Sequence, residues 1–215
     1  MKPIVMITLP RSGSGWVERY VKSYNYANGY REELLSTHFN EGDIYEKYLS
    51  LKLMIDNGRY PHFRLHPIGV IRDTDETFYD IIKDYDIVML SRKDKWRSTL
   101  SCLVQYQNKW LFAHNFYKER KEQWDNVIKN GLTIDTENLQ QIRPQIAQYE
   151  YLESVKDKAY KFLYYEDLSD KELRKHFSCD SYLTPPYSDK NINYEEIIIN
   201  IKEVKEEYEN VLRTI

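Results

Sequence analysis

The chain alternates short apolar runs with amphipathic stretches of helical period. Pro3 to Leu9 (PIVMITL) is continuously apolar, of strand length and rich in Ile and Val. Such a run suits a strand buried on both faces of a parallel sheet. The loop Pro10 to Gly15 follows, and then Trp16, Val17, Tyr20, Val21 and Tyr24 recur at three- and four-residue steps, the period of an amphipathic helix. Strand, tight glycine loop and helix open a βαβ unit. Farther on, the pattern predicts a helix near Asp43 to Asn57, a second strand over His62 to Val70 interrupted by Pro67, and a helix over Asp75 to Tyr85. Asp86 to Ser91 (DIVMLS) reads as another buried strand. A long helical stretch is expected from Asp94 to about Asn130, with Gly131 as its stop signal. A second is expected from Thr136 to about Val155, broken or kinked at Pro144. Ala159 to Tyr165 reads as a fourth strand, Ser181 to Ser188 as a loop, and the segment from Asn193 as a charged amphipathic helix. Strands separated by helices predict an α/β fold with a central parallel sheet flanked by helices. No segment reads as a linker, so residues 1–215 are expected to form a single domain.

Composition narrows the function classes. Charged residues make up 30% of the 215 and nearly balance, with a formal net charge of −3. A non-specific nucleic-acid binder is normally clearly basic, so nucleic acid is not an expected partner. No stretch approaches the ~18 apolar residues that would cross a bilayer. The apolar run after Met1-Lys2-Pro3 is too short for a signal-peptide core and fits a first strand better. The two cysteines, Cys102 and Cys179, lack metal-ligand spacing and make no disulfide framework, which fits a reducing, cytoplasmic setting.

The first loop carries the clearest chemistry. Between a strand and a helix N-terminus, glycines let the backbone approach a ligand, successive N–H groups point inward, and the helix dipole favours an anion. Ser12 and Ser14 add hydroxyls, and Arg11 adds a permanent charge with a planar fork of donors. A plain βα turn also favours Gly and Ser. An arginine and two serines around two glycines, directly after a buried strand, tip the reading to anion binding. The loop is not a Walker A sequence, because Gly15 is followed by Trp16 and both the lysine and the metal-binding hydroxyl are missing.

Pro10-Arg11-Ser12-Gly13-Ser14-Gly15-Trp16 resembles the loop P-[KR]-[ST]-G-[ST]-[ST]-[WL] of the sulfotransferases that use 3′-phosphoadenosine 5′-phosphosulfate (PAPS) and release PAP. The departure is Gly15, where that family usually has Ser or Thr. The family's second signature pairs an Arg at a strand end with a Ser eight or nine residues on, both contacting the cofactor's 3′-phosphate. Arg92 to Ser101 (RKDKWRSTLS) is similar, and its R-x-D spacing is closest to the bacterial trehalose-sulfotransferase-like, carbohydrate-directed group. Taken alone, Arg92, Lys93 and Arg97 would be an ordinary solvated basic cluster. Tyr164-Tyr165-Glu166-Asp167-Leu168 resembles a Y-E-D-L stretch found in many sulfotransferases and reads as structural, with Asp167 capping the next helix.

What the resemblance implies is a three-layer P-loop-like fold and a sulfuryl transfer from PAPS to a hydroxyl of a glycan or small-molecule acceptor. Arg11, Ser12, Gly13, Ser14, Gly15 and Trp16 would hold the 5′-phosphosulfate, and Arg92 and Ser101 the 3′-phosphate. Arg11 would also stabilise the leaving oxygen. The base would be Glu33, by its distance past the loop and its two following leucines, with His66 in Arg64-Leu65-His66-Pro67 second and Glu32 third. Trp110, Tyr106 and Trp16 are weaker candidates for an acceptor cleft. No metal is required. A homo-oligomer stays open, since the chain is short for the family and a partner chain could complete the acceptor site. The competing readings are a P-loop-like nucleotide or small-molecule kinase, and a non-catalytic module that binds an anion or a partner.

Overall fold

The computed structural model describes residues 2–9, 11–29, 53–54, 56–58, 64–65, 79–80, 82–108, 125–179 and 192–215. They fall in two compact units, Met1–Lys93 with Glu150–Tyr187, and Asp94–Tyr149 with Ser188–Ile215.

The first unit holds a four-stranded sheet. Its strands are β1 (Ile4–Thr8), β2 (Arg64–Leu65), β3 (Asp86–Ser91) and β4 (Lys161–Tyr164), in the order β2-β1-β3-β4. All pairings are parallel; Ile4 lies opposite Asp86, Thr8 opposite Leu90, and Val88 opposite Lys161. Every residue of β1 is buried, as its unbroken apolar run predicts for a central strand. On one face, Ile4, Met6, Val88 and Leu90 pack with Trp16, Val17, Tyr20 and Val21 of helix α1 (Ser14–Ala27). Leu168, Leu173 and Phe177, around a later helix of this unit (Asp170–Phe177), complete that core. Among the described residues β2 pairs with Met6 and Ile7, and Asn25 lies beside Ile4. Its side chain accepts from the Ile4 N–H at 2.8 Å and donates to the Ile4 carbonyl at 2.9 Å. Both groups are buried, and the Asn25 amide gives each of them a partner.

The second unit is helical. Helix α2 (Lys95–Gln107) is capped by Asp94, whose carboxylate accepts from the Arg97 N–H at 2.8 Å. Helices α3 (Thr136–Leu139) and α4 (Ile142–Ser154) follow, the last residues of α4 belonging to the first unit. Asp170–Phe177 is α5, and α6 (Tyr194–Ile197) and α7 (Ile201–Thr214) end the chain. Leu100, Leu103, Val104, Ile142, Ile146, Ile197, Val204 and Val211 form the core of this unit.

Several boundaries differ from expectation. The helix expected from Asp94 is observed to Gln107, and residues 125–130 are helical. The break expected at Pro144 falls earlier, at Gln140 and Gln141, and Pro144 sits in the first turn of α4. A proline is tolerated there because its missing N–H would have no helical acceptor anyway. The C-terminal helix is two pieces, interrupted at Ile198, which bridges in parallel to Leu132. The cap of α5 is not Asp167. Ser169 accepts from the Glu172 N–H at 3.2 Å while Glu172 accepts from the Ser169 N–H at 2.8 Å, a reciprocal capping box. Asp167 instead pairs with Lys93 at 2.6 Å. Among the described residues no helix is long and apolar enough to cross a membrane.

Candidate anion-binding site

The loop after β1 is built from an unusual backbone. Arg11 has φ +58° and Gly13 has φ +78°, both left-handed, with Ser12 between them on the ordinary side. A non-glycine residue held in that region costs about 1–3 kcal/mol and marks a place where the fold over-determines the chain. The Ser12 N–H, between Arg11 and Gly13, donates to the Leu9 carbonyl at 3.4 Å, which closes the turn. Gly13 is also the N-cap of α1 and has no side chain with which to cap that end. The amides of Ser14 and Gly15 lie in the first turn, where helical geometry supplies no acceptor.

Each residue of the loop has a distinct position. Ser12 is fully buried, and its hydroxyl donates to the Leu9 carbonyl at 2.7 Å. That bond closes the loop and turns the O–H inward, away from the phosphate-donor role expected of it. Gly15 is exposed, and a Cβ there would meet nothing within 4 Å. Trp16 is buried in the core, with ring edges against Tyr20 and Tyr165 at centroid distances of 6.4 and 6.3 Å. It anchors the helix start from within the core.

A second segment meets the loop. Arg92 follows β3, the strand beside β1, and is only 8% exposed. Its Nη1 donates to the carbonyl of Arg11 at 3.2 Å, and its Nε donates to Oε1 of Glu166 at 2.7 Å. The other carboxylate oxygen of Glu166 accepts from the Lys93 N–H at 3.0 Å. The guanidinium lies 4.5 Å from the centroid of the Tyr165 ring, a cation–π contact. That ring in turn lies over Gly13; a Cβ on Gly13 would stand 2.2 Å from its Cδ2 and Cε2. Arg92 Nη2 has no partner among the described residues. Burial works against ionisation of Glu166, but the Lys93 N–H and the Arg92 charge outweigh it and hold the carboxyl below its usual range.

Ser101 lies in the second unit. It is buried on α2, and the Tyr194 hydroxyl donates to it at 3.0 Å. The Arg97 guanidinium sits 5.6 Å over the Tyr194 ring and donates to the Ile192 carbonyl at 2.8 Å. One turn earlier on α2, the Ser98 hydroxyl is buried without a partner among the described residues. Ser101 lies on a buried face of the helix. Tyr106 is exposed on the last turn of α2. Pro10, Glu32, Glu33, His66 and Trp110 lie outside the described residues, and of Arg64 only the strand backbone is described. Among the described residues no group of three or more His, Cys, Asp or Glu could hold a metal ion.

The structure therefore brings together Arg11, Gly13 and Arg92 of the expected set, within the first unit. Sequence reasoning did not find Tyr165 and Glu166 as members of the site. The signal for them was their position directly after β4, at the same carboxyl edge of a parallel sheet as the loop. Compared with known protein families, curated proteins and solved structures, the chain matches none.

Proposed function

We propose that this chain is a PAPS-dependent sulfotransferase on a P-loop-like fold, moving a sulfuryl group to a hydroxyl of a carbohydrate or small-molecule acceptor. The observation that carries the reading is the contact of Arg92 with the Arg11 carbonyl, 81 residues apart in sequence. It joins two anion-directed segments at the carboxyl ends of neighbouring parallel strands, where ligands of open α/β sheets bind. The donor set fits an anionic nucleotide: a left-handed loop leading into a helix N-terminus, Arg11, and an Arg92 fork whose Nη2 is unengaged among the described residues. In this reading the loop amides and Arg11 bind the 5′-phosphosulfate and stabilise charge on the leaving oxygen. Ser14 supplies the loop's outer hydroxyl, and Ser12 shapes the loop through Leu9. Arg92 recognises the 3′-phosphate, and Glu33, His66 or Glu32 takes the acceptor proton. PAPS would bring the activated sulfuryl group; the chain orients it and neutralises charge. Cytoplasmic residence belongs to the same proposal.

The test is ligand-induced thermal stabilisation. A ligand at a hundred times its Kd stabilises by about 2.7 kcal/mol, a Tm rise of several degrees. PAP should produce that rise and MgATP should not. Stabilisation by MgATP alone would replace this reading with the kinase one. Arg11→Ala should then lower kcat with a suitable acceptor, whereas unchanged turnover would remove Arg11 from the site.

A further inference from the structure

We propose that Glu166 is a positioning residue that fixes Arg92 at the loop, so that the two anion-binding segments are preorganised before any ligand arrives. The inference rests on the anion-site reading above and adds to it a residue outside the two anion-binding segments, in the stretch first read as structural.

The carboxylate of Glu166 bridges two donors of one strand end. Oε1 takes Arg92 Nε at 2.7 Å and Oε2 takes the Lys93 N–H at 3.0 Å. A carboxylate held at two points cannot swing, so the guanidinium it holds is fixed in direction as well as place. The Tyr165 ring fixes the guanidinium plane from one side at 4.5 Å, and the Arg11 carbonyl takes Nη1 at 3.2 Å. Two of the restraints on Arg92 thus come from the turn after β4 and one from the loop itself. Among the described residues, what is left of the fork is Nη2 and the second hydrogen of Nη1, which form its end. An arginine with a rigid remaining edge loses little entropy on meeting a phosphate. The depressed carboxyl pKa of Glu166 keeps the clamp ionised near neutral pH. Tyr165 completes the device, because the same ring that stacks on Arg92 lies over Gly13.

The rival role for Glu166 is simple charge neutralisation, and the two roles predict opposite signs. If Glu166 only offsets the Arg92 charge, Glu166→Gln removes a repulsive charge and tightens anion binding, while Glu166→Asp leaves it unchanged. If it positions Arg92, both variants weaken binding. Asp keeps the charge but withdraws it by one methylene from Nε. Gln keeps one acceptor but turns a donor toward the Lys93 N–H. PAP titration of the full-length chain should show E166D and E166Q each at least fivefold weaker than wild type. In the free protein, NMR should show an Arg92 Nε–H resonance, assigned by its loss in Arg92→Lys, protected from exchange in wild type and not in E166D. Equal or tighter PAP binding by either variant overturns the inference. So does an unprotected Nε–H in the wild type. If the wild type ignores PAP, the sulfotransferase reading falls by itself, and the same variants titrated with inorganic pyrophosphate decide the positioning role. The same ordering upholds it; a reversed or flat ordering, or no binding, overturns it.

Discussion

Gly13→Ala probes the loop where two requirements coincide. The backbone there has φ +78°, and an L-residue in the left-handed region costs about 1–2 kcal/mol. The new Cβ would also stand 2.2 Å from two carbons of the Tyr165 ring. That ring cannot simply swing away, since the Arg92 guanidinium stacks on it and Trp16 packs at its edge. Forced overpacking of this kind costs about 1–3 kcal/mol. Together the substitution should destabilise the first unit by about 2–5 kcal/mol. Native-state hydrogen exchange of the buried β1 amides, Val5 to Ile7, reads that unit's stability directly. A double-mutant cycle separates the two causes. In a Tyr165→Ala background the clash is gone, and Gly13→Ala should cost only about 1–2 kcal/mol. Gly15→Ala is the control, because Gly15 lies inside α1 with nothing within 4 Å of a new Cβ. Alanine's better helix propensity should make that change neutral or stabilising by up to about 1 kcal/mol. Equal costs for Gly13→Ala in both backgrounds, or a cost below about 0.5 kcal/mol in the wild type, would refute the reasoning.

Glu166 has a depressed carboxyl pKa in the folded state, so its stabilisation is fully present above the unfolded value and is lost as pH falls through the folded one. An acid titration of stability should therefore show a limb below the ordinary carboxylate range that Glu166→Gln flattens. His176 is also depressed, by burial first and the Lys161 charge second. Its protonation opposes folding, so it should add a milder loss as pH drops below its ordinary value, one that His176→Gln removes. Asn25→Ala strands the buried N–H and carbonyl of Ile4; a loss of about 2–4 kcal/mol in urea denaturation is expected, and a loss below about 1 would show that water replaces the side chain. Ser169→Ala removes the capping box of α5 and should cost about 1 kcal/mol by the same assay.

Local patterns fixed what depends on neighbours in the chain. The apolar run before Leu9 could only be a buried strand, and the three- and four-residue steps from Trp16 could only be a helix face. The glycines and serines of Pro10 to Gly15 announced a tight turn before the helix. The Ser169-x-x-Glu172 box was equally legible, and the choice of Asp167 overlooked it because a nearer acidic residue also satisfies the general preference for a cap. Where α3 ends and where the C-terminal helix breaks were not legible, because Gln140 and Ile198 carry no strong stop signal.

The site divides along the same line. That Pro10 to Gly15 should meet an anion is a statement about glycines, hydroxyls and a helix start, and sequence alone supports it. That Ser12 turns its hydroxyl to Leu9, that Tyr165 lies over Gly13, and that Glu166 grips Arg92 are decided only by the parallel sheet. Parallel strands place their carboxyl ends side by side whatever their distance along the chain, and residues 74 and 81 positions apart become hydrogen-bond partners there. No local period records which side chains those edges will present to one another. The sequence determined the elements and the chemistry of one loop, and the tertiary structure chose the arginine's partners.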